Sequence, residues 1–120
     1  MSLQLCPACG RHVTAESGRF TVHSATGAKG ETCHLSRERT PITGTTERDY
    51  ERRADLIGHL AWRLKDEDPR KVRDYLTAMP AVELQRMLML ALAAVPVDRS
   101  IDEVFGWVCD LPEARLVAVA

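Results

Sequence analysis

From Thr46 to Asp66 the apolar residues Tyr50, Ala54, Ile57, Ala61 and Leu64 recur every three or four positions, the period that sets side chains along one face of an α-helix. The pattern predicts an amphipathic helix of about five turns. Thr46-x-x-Asp49 supplies its start, with a hydroxyl to cap early N–H groups and an acid in the first turn. The opposite face carries Arg48, Arg52, Arg53, Asp55, Arg63 and Asp66. Acids and bases balance in this segment, so that face is expected to be solvated rather than phosphate-binding.

Asp68-Pro69 restarts the chain, Asp68 as a cap and Pro69 at the first helical position, where a missing N–H costs nothing. A short second helix follows, with Val72, Leu76 and Met79 as its buried stripe and Tyr75 at the margin. Pro80 ends it. A third helix over Ala81 to Ala94 has little polar face after Arg86 and is expected to be central and buried on most sides, its methionines filling core. Ser100-Ile101-Asp102-Glu103 fits a capping box for a fourth helix with Ile101, Val104, Phe105, Val108 and Leu111 inside, ended by Pro112. The tail from Arg115 to Ala120 is apolar enough to pack back or to meet another subunit.

Ahead of the helices the period shortens. Arg11 to Thr14 and Arg19 to His23 alternate apolar and polar residues around Glu16-Ser17-Gly18, which reads as a hairpin. Residues 36–46, with Pro41, Gly44 and several threonines, read as a linker. The expected fold is therefore mainly α: a small N-terminal β-hairpin of ribbon or knuckle type over 1–35, a linker over 36–46, and a compact bundle of about four helices over 47–120.

The metal enters through Cys6, Cys9, His23 and Cys33, spaced C-x2-C-x13-H-x9-C. Two thiolates two residues apart can grip one ion from a tight turn, and Gly10 permits the positive φ such a turn requires. The hairpin returns His23 beside the Cys6-Pro7-Ala8-Cys9 turn. His12 and His34 stand as alternatives for the nitrogen ligand. The site is expected to hold Zn2+ with no open position, which argues against hydrolytic chemistry. A redox pair is disfavoured because Gly10 and a hairpin follow where a helix N-terminus should. No His is followed two residues later by Glu, as the zinc deaminases require, and Thr26 to Thr32 lacks the spacing of a phosphate loop. Because residues 1–35 hold too few apolar side chains for a core of their own, metal removal is expected to loosen them while the helices from Thr46 persist.

CPACGRHVTAESGRFTVHSATGAKGETC resembles the small N-terminal Cys/His zinc finger of uncharacterised proteins from actinobacteria and their phages, of the form CPxCGRxV, then GR, then a His and a final Cys. The resemblance spans about the first quarter of the chain and implies metal ligation by Cys6, Cys9, His23 and Cys33, with no enzyme implied. Such segments end Cys-x-Gly-Ser; this one reads Cys33-His34-Leu35-Ser36.

The 120 residues carry 16 Lys and Arg against 17 Asp and Glu, a net charge of −1 that gives no global pull toward nucleic acid or anionic membrane. The balance is uneven: +2 over residues 1–46, neutral over 47–79 and −3 over 80–120. A helix-turn-helix reading of Ala81 to Asp110 fails because the second helix carries Asp102, Glu103 and Asp110 with no base. No secretory leader and no bilayer-length apolar run is apparent, so the chain is expected in the cytoplasm, where four thiols point to a metal rather than to disulfides. Cys109 reads as a small buried hydrophobe. The leading expectation is a non-enzymatic, zinc-stabilised interaction or adaptor protein that binds an unidentified protein partner through its helical region, with a homodimer left open. The second is a small nucleic-acid-binding regulator that uses the basic zinc module through Arg11, Arg19, Lys29, Arg37 and Arg39.

Overall fold

A computed structural model of the chain describes residues 2–111. It holds a three-stranded antiparallel sheet, β1 (Ser2–Leu5), β2 (His12–Glu16) and β3 (Arg19–Phe20), ordered 1-2-3. Helices α1 (Glu47–Asp66), α2 (Pro69–Ala78), α3 (Ala81–Ala94) and α4 (Ile101–Phe105) follow, and a single 3-10 turn, Val108–Asp110, completes the described chain. The expected hairpin is β2–β3. Its loop residues Ser17 and Gly18 both have positive φ, the geometry that matches the twist of paired strands. Strand β1 was not foreseen, because four residues carry almost no periodic signal. It exists because the cysteine turn reverses the chain, pairing Leu5 with His12 and Ser2 with Ala15. Along β2 the alternation is clean, with Val13 and Ala15 buried beside Phe20 of β3.

The stretch 36–46, read from sequence as a linker, is a strap that joins sheet to helices. Phe20 is tied to it by two backbone bonds, its N–H donating to Glu38 O and its carbonyl accepting from Arg37 N–H. Thr40 and Ile42 are buried. Glu38 accepts both Arg63 guanidinium bonds at 2.9 and 3.2 Å, Arg39 pairs with Asp55 at 2.7 Å, and the Tyr75 hydroxyl donates to Arg39 O at 2.9 Å. Burial, with Glu38 nearby, pushes the Tyr75 hydroxyl up to about 12. Threonine and proline composition fitted extended backbone; the partners of that backbone lay too far along the chain to be read locally.

Thr46 and Asp49 form a full capping box at the start of α1, and the Thr46 hydroxyl and N–H hold the Asp49 carboxyl below the usual carboxylate range. The buried stripe of α1 differs from the expected one. It runs Arg53, Leu56, Leu60, while Ala54 and Ala61 are exposed and Tyr50, Ile57 and Leu64 lie half-buried. Arg53, expected on the solvated face, is 0% exposed. Its Nε donates to both carboxylate oxygens of Glu83 at 2.8 and 2.9 Å, its Nη2 donates to the carbonyls of Ile42 and Gly44 at 3.0 and 2.6 Å, and the guanidinium lies 4.7 Å from the Tyr50 ring centroid. Neutralised and hydrogen-bonded in this way, a charge can replace an aliphatic side chain in the core, which reverses the usual assignment of the two faces.

Four further expectations give way. Tyr75 of α2 is fully buried and Leu76 only partly, so the stripe is Val72, Tyr75, Met79. Helix α3 is not central: Glu83 and Met87 are buried, whereas Leu88, Met89 and Leu92 are more than half exposed. Helix α4 is short and buries none of its side chains. Cys109 is likewise exposed. One apolar cluster unites Cys6, Val13, Phe20, Cys33 and Leu35 with Leu56, Leu60, Val72, Tyr75, Met79 and Met87, so the sheet and the first three helices share a core. Expectations that fall on residues 112–120, the Pro112 stop and the packing of the tail, lie outside the described residues.

Candidate functional site

Cys6, Cys9, His23 and Cys33 converge so that one ligand atom from each lies within 4.8 Å of the others, and together they can hold a metal ion. The turn that carries the first two is closed by Cys6 N–H donating to Arg11 O and Gly10 N–H donating to Cys6 O, both 2.8 Å, with Gly10 at φ +75. His23 follows β3, and its backbone is held on both sides. Cys33 N–H donates to His23 O at 2.8 Å, and His23 N–H donates to the Ser36 hydroxyl at 3.1 Å. This stitching brings Cys33 back across from His23, while the loop between them is ordered by Ser24, whose hydroxyl accepts from Gly27 N–H and donates to Ala28 O.

The imidazole is oriented for ligation. Its Nδ1 donates to Thr21 O at 2.8 Å, which fixes the tautomer that leaves the Nε2 lone pair open. Among the described residues Nε2 is buried with no hydrogen-bond partner. A buried acceptor left so is costly, and a metal ion held at the cluster would satisfy it. The ring also meets Phe20 edge-on at 6.0 Å. The sulfurs of Cys6 and Cys33 are 3.8 Å apart. A tetrahedron with metal–sulfur bonds of about 2.3 Å has edges of about 3.8 Å, so the Cys6–Cys33 separation matches one edge of such a site.

Local charges differ between the thiols. Burial opposes ionisation of Cys9, but the Arg11 N–H, hydrogen bonds with Cys6 and Cys33, and the Arg11 guanidinium together hold its pKa below the ordinary thiol value. Burial pushes the Cys33 thiol up to about 11, against a counteracting bond from the Leu35 N–H and with Cys6 and Cys9 adding to the rise. Backbone N–H groups aimed at Cys9 and Cys33 are the second layer of support that such turns give their sulfurs. His12 and His34 are exposed and stand outside the cluster.

This site spans the N-terminal part of a chain that is related to others along nearly its whole length. The chain belongs to a family of unknown function, DUF7368, over residues 1–115. The family therefore takes in the cysteine–histidine cluster and the helices together. No curated protein and no solved structure matches the chain.

The basic residues expected at the metal end are divided. Arg19 and Arg39 line an open cleft of about 860 Å³ between the β2–β3 turn and α1, joined there by Arg48 and Arg52, which the sequence reading had placed on a solvated face. Glu47, Glu51 and Asp55 line the same cleft, and Arg39 is already paired with Asp55, so four bases face three acids. Arg11 instead reaches Ser24 O at 3.4 Å, Arg37 has φ +68 with its carbonyl accepting from Arg19, and Lys29 sits exposed on the 24–32 loop.

The helices form a second concavity that the sequence did not reveal. Helices α2 and α3 each pack on α1, and an open groove of about 420 Å³ runs between the three, floored by Leu60, Leu64, Val72, Leu76, Leu84 and Met87. Its lining is almost wholly apolar. Leu88, on its lip, is 59% exposed, and Leu92, one turn further along α3, is 58% exposed. No helix among the described residues is long and apolar enough to cross a membrane.

Proposed function

We propose that the chain is a non-enzymatic, zinc-stabilised interaction protein whose helix-lined groove receives an amphipathic helix from a protein partner. Zn2+ is the ion that suits three thiolates and an imidazole at tetrahedral spacing. A closed set of four such ligands leaves no position for water or substrate, so the ion acts by holding the sheet and the strap in place beneath α1 and α2. The reading places the chain in a reducing compartment such as the cytoplasm, where the thiols stay available for metal.

The observation that carries the partner reading is the apolar groove between α1, α2 and α3. Large exposed apolar patches mark interaction sites, and a groove between helices fits an incoming helix with anchors at i, i+3, i+4 and i+7. The competing reading, nucleic-acid binding through Arg19 and Arg39, has the cleft with Arg48 and Arg52 in its favour and the three carboxylates in that cleft against it.

A display library of helical peptides selected on the zinc-loaded chain distinguishes these. Enrichment of peptides with that anchor spacing, binding insensitive to salt and lost in Leu84→Glu, is the expected outcome. No enrichment, or binding indifferent to Leu84→Glu, contradicts the reading, and single-stranded oligonucleotide binding that falls steeply with salt favours the alternative.

A further inference from the structure

We infer that the helix this groove receives is the α4 segment of a second copy of the chain, so that two copies exchange these segments about a two-fold axis. The inference rests on the groove reading above and names its occupant.

The segment from Ser100 to Asp110 has the form that such a groove selects. Ile101, Val104, Phe105 and Val108 stand at i, i+3, i+4 and i+7, and the backbone is helical almost throughout: α4 runs to Phe105, Gly106 and Trp107 keep right-handed helical angles, and the 3-10 turn follows. Ser100 caps it by accepting from Glu103 N–H at 3.2 Å. Yet within one copy the segment is unfulfilled. Ile101 is 76% exposed and Phe105 42%, Val104 and Val108 are only half-buried, and no side chain of α4 is fully buried. A helix this short does not hold in water by propensity alone; it needs a surface to pack on.

Charge points to the same match. The segment carries Asp102, Glu103 and Asp110 and no base. The groove continues between α1 and α2 into an extension lined by Pro69, Arg73 and Thr77, where Arg73, held to its neighbour Asp74 at 3.4 Å across an exposed pair, is the base nearest an incoming acidic helix. The apolar anchors would fill the floor while an acid of the helix competes with Asp74 for Arg73 at the rim.

Among the described residues, one copy does not supply this contact to itself. No residue of α4 lines the groove. Reciprocal exchange makes each contact twice, which brings a short helix toward the roughly 1,200–2,000 Å² buried by specific interfaces, and it needs no surface beyond those already present.

The test uses the full zinc-loaded chain in reductant, with mass measured by sedimentation velocity from about 1 to 100 µM, the range where modest interfaces associate. A dimer is expected. Ile101→Asp and Leu88→Asp, both at exposed positions and so compatible with folding, are each expected to weaken it at least tenfold with zinc content and far-UV circular dichroism unchanged. A fluorescein-labelled peptide of residues 98–111 should then bind the Ile101→Asp chain and not the Leu88→Asp chain. A wild-type monomer across the range overturns the inference, including a monomer whose own α4 amides are protected from exchange, as does a dimer indifferent to both substitutions. A monomer that still binds display-selected helices in the groove removes this occupant and leaves the groove reading standing; a monomer that binds none removes both.

Discussion

Replacing Glu83 with alanine is expected to lower the unfolding free energy by about 3–5 kcal/mol, the usual cost of stranding one partner of a buried ion pair. Arg53 would then keep its charge at 0% exposure with only two backbone carbonyls and the Tyr50 ring as company. Thermal denaturation is the measurement, and for a domain of this size the midpoint should fall by roughly 10–20 °C. Arg53→Met with Glu83→Leu should recover part of the loss, because both charges leave together. It should not recover all of it, since the Ile42 and Gly44 carbonyls lose the donor that ties the strap to α1. A Glu83→Ala variant that melts within a degree or two of wild type would show that the pair is not holding strap, α1 and α3 together.

The second large effect is expected from removing metal. Binding of structural zinc in small finger peptides is worth about 10–16 kcal/mol at neutral pH, which is comparable to the whole stability of an ordinary domain. Chelation, or Cys33→Ser, should therefore disorder the sheet and strap, read as collapse of amide dispersion over residues 2–42. From sequence alone the helices are expected to stand apart from that loss. The shared core changes the expectation: Phe20 and Leu35 pack in the same cluster as Leu56, Leu60 and Tyr75, and the Tyr75 hydroxyl needs the strap carbonyl of Arg39. The far-UV helical signal should survive in the cold, with a midpoint lowered by more than about 10 °C and a broader transition. Cys109→Ser, far from the cluster and exposed, is the control that should change neither. Helices that melt identically with and without metal would separate the two parts after all.

The elements were legible because their signals are local. Thr46 and Asp49, Asp68 and Pro69, and Ser100 with Glu103 mark helix starts within a few residues, and each caps as its type dictates. The cluster of Cys6, Cys9, His23 and Cys33 was legible because metal geometry restricts spacing, and because a two-residue turn at Ser17-Gly18 fixes where His23 returns. What escaped is non-local. Periodicity counts arginine as a surface residue, and nothing near Arg53 reveals that Glu83, thirty positions on, neutralises it. Thr40 and Ile42 read as linker because their partners lie in α1 and the sheet. The apolar run from Met87 to Leu92 was read as evidence of burial, but a hydrophobic helix is equally compatible with a face left open for a partner.

One ion, held by three sulfurs and one imidazole, is expected to shape the N-terminal half of the core. Elemental analysis combined with X-ray absorption at the zinc edge on the same purified sample tests it most directly. One zinc per chain with three sulfurs near about 2.3 Å and one nitrogen near about 2.0 Å is the expected result. A folded chain with no bound metal, or a zinc ligated mainly by oxygen, would contradict it.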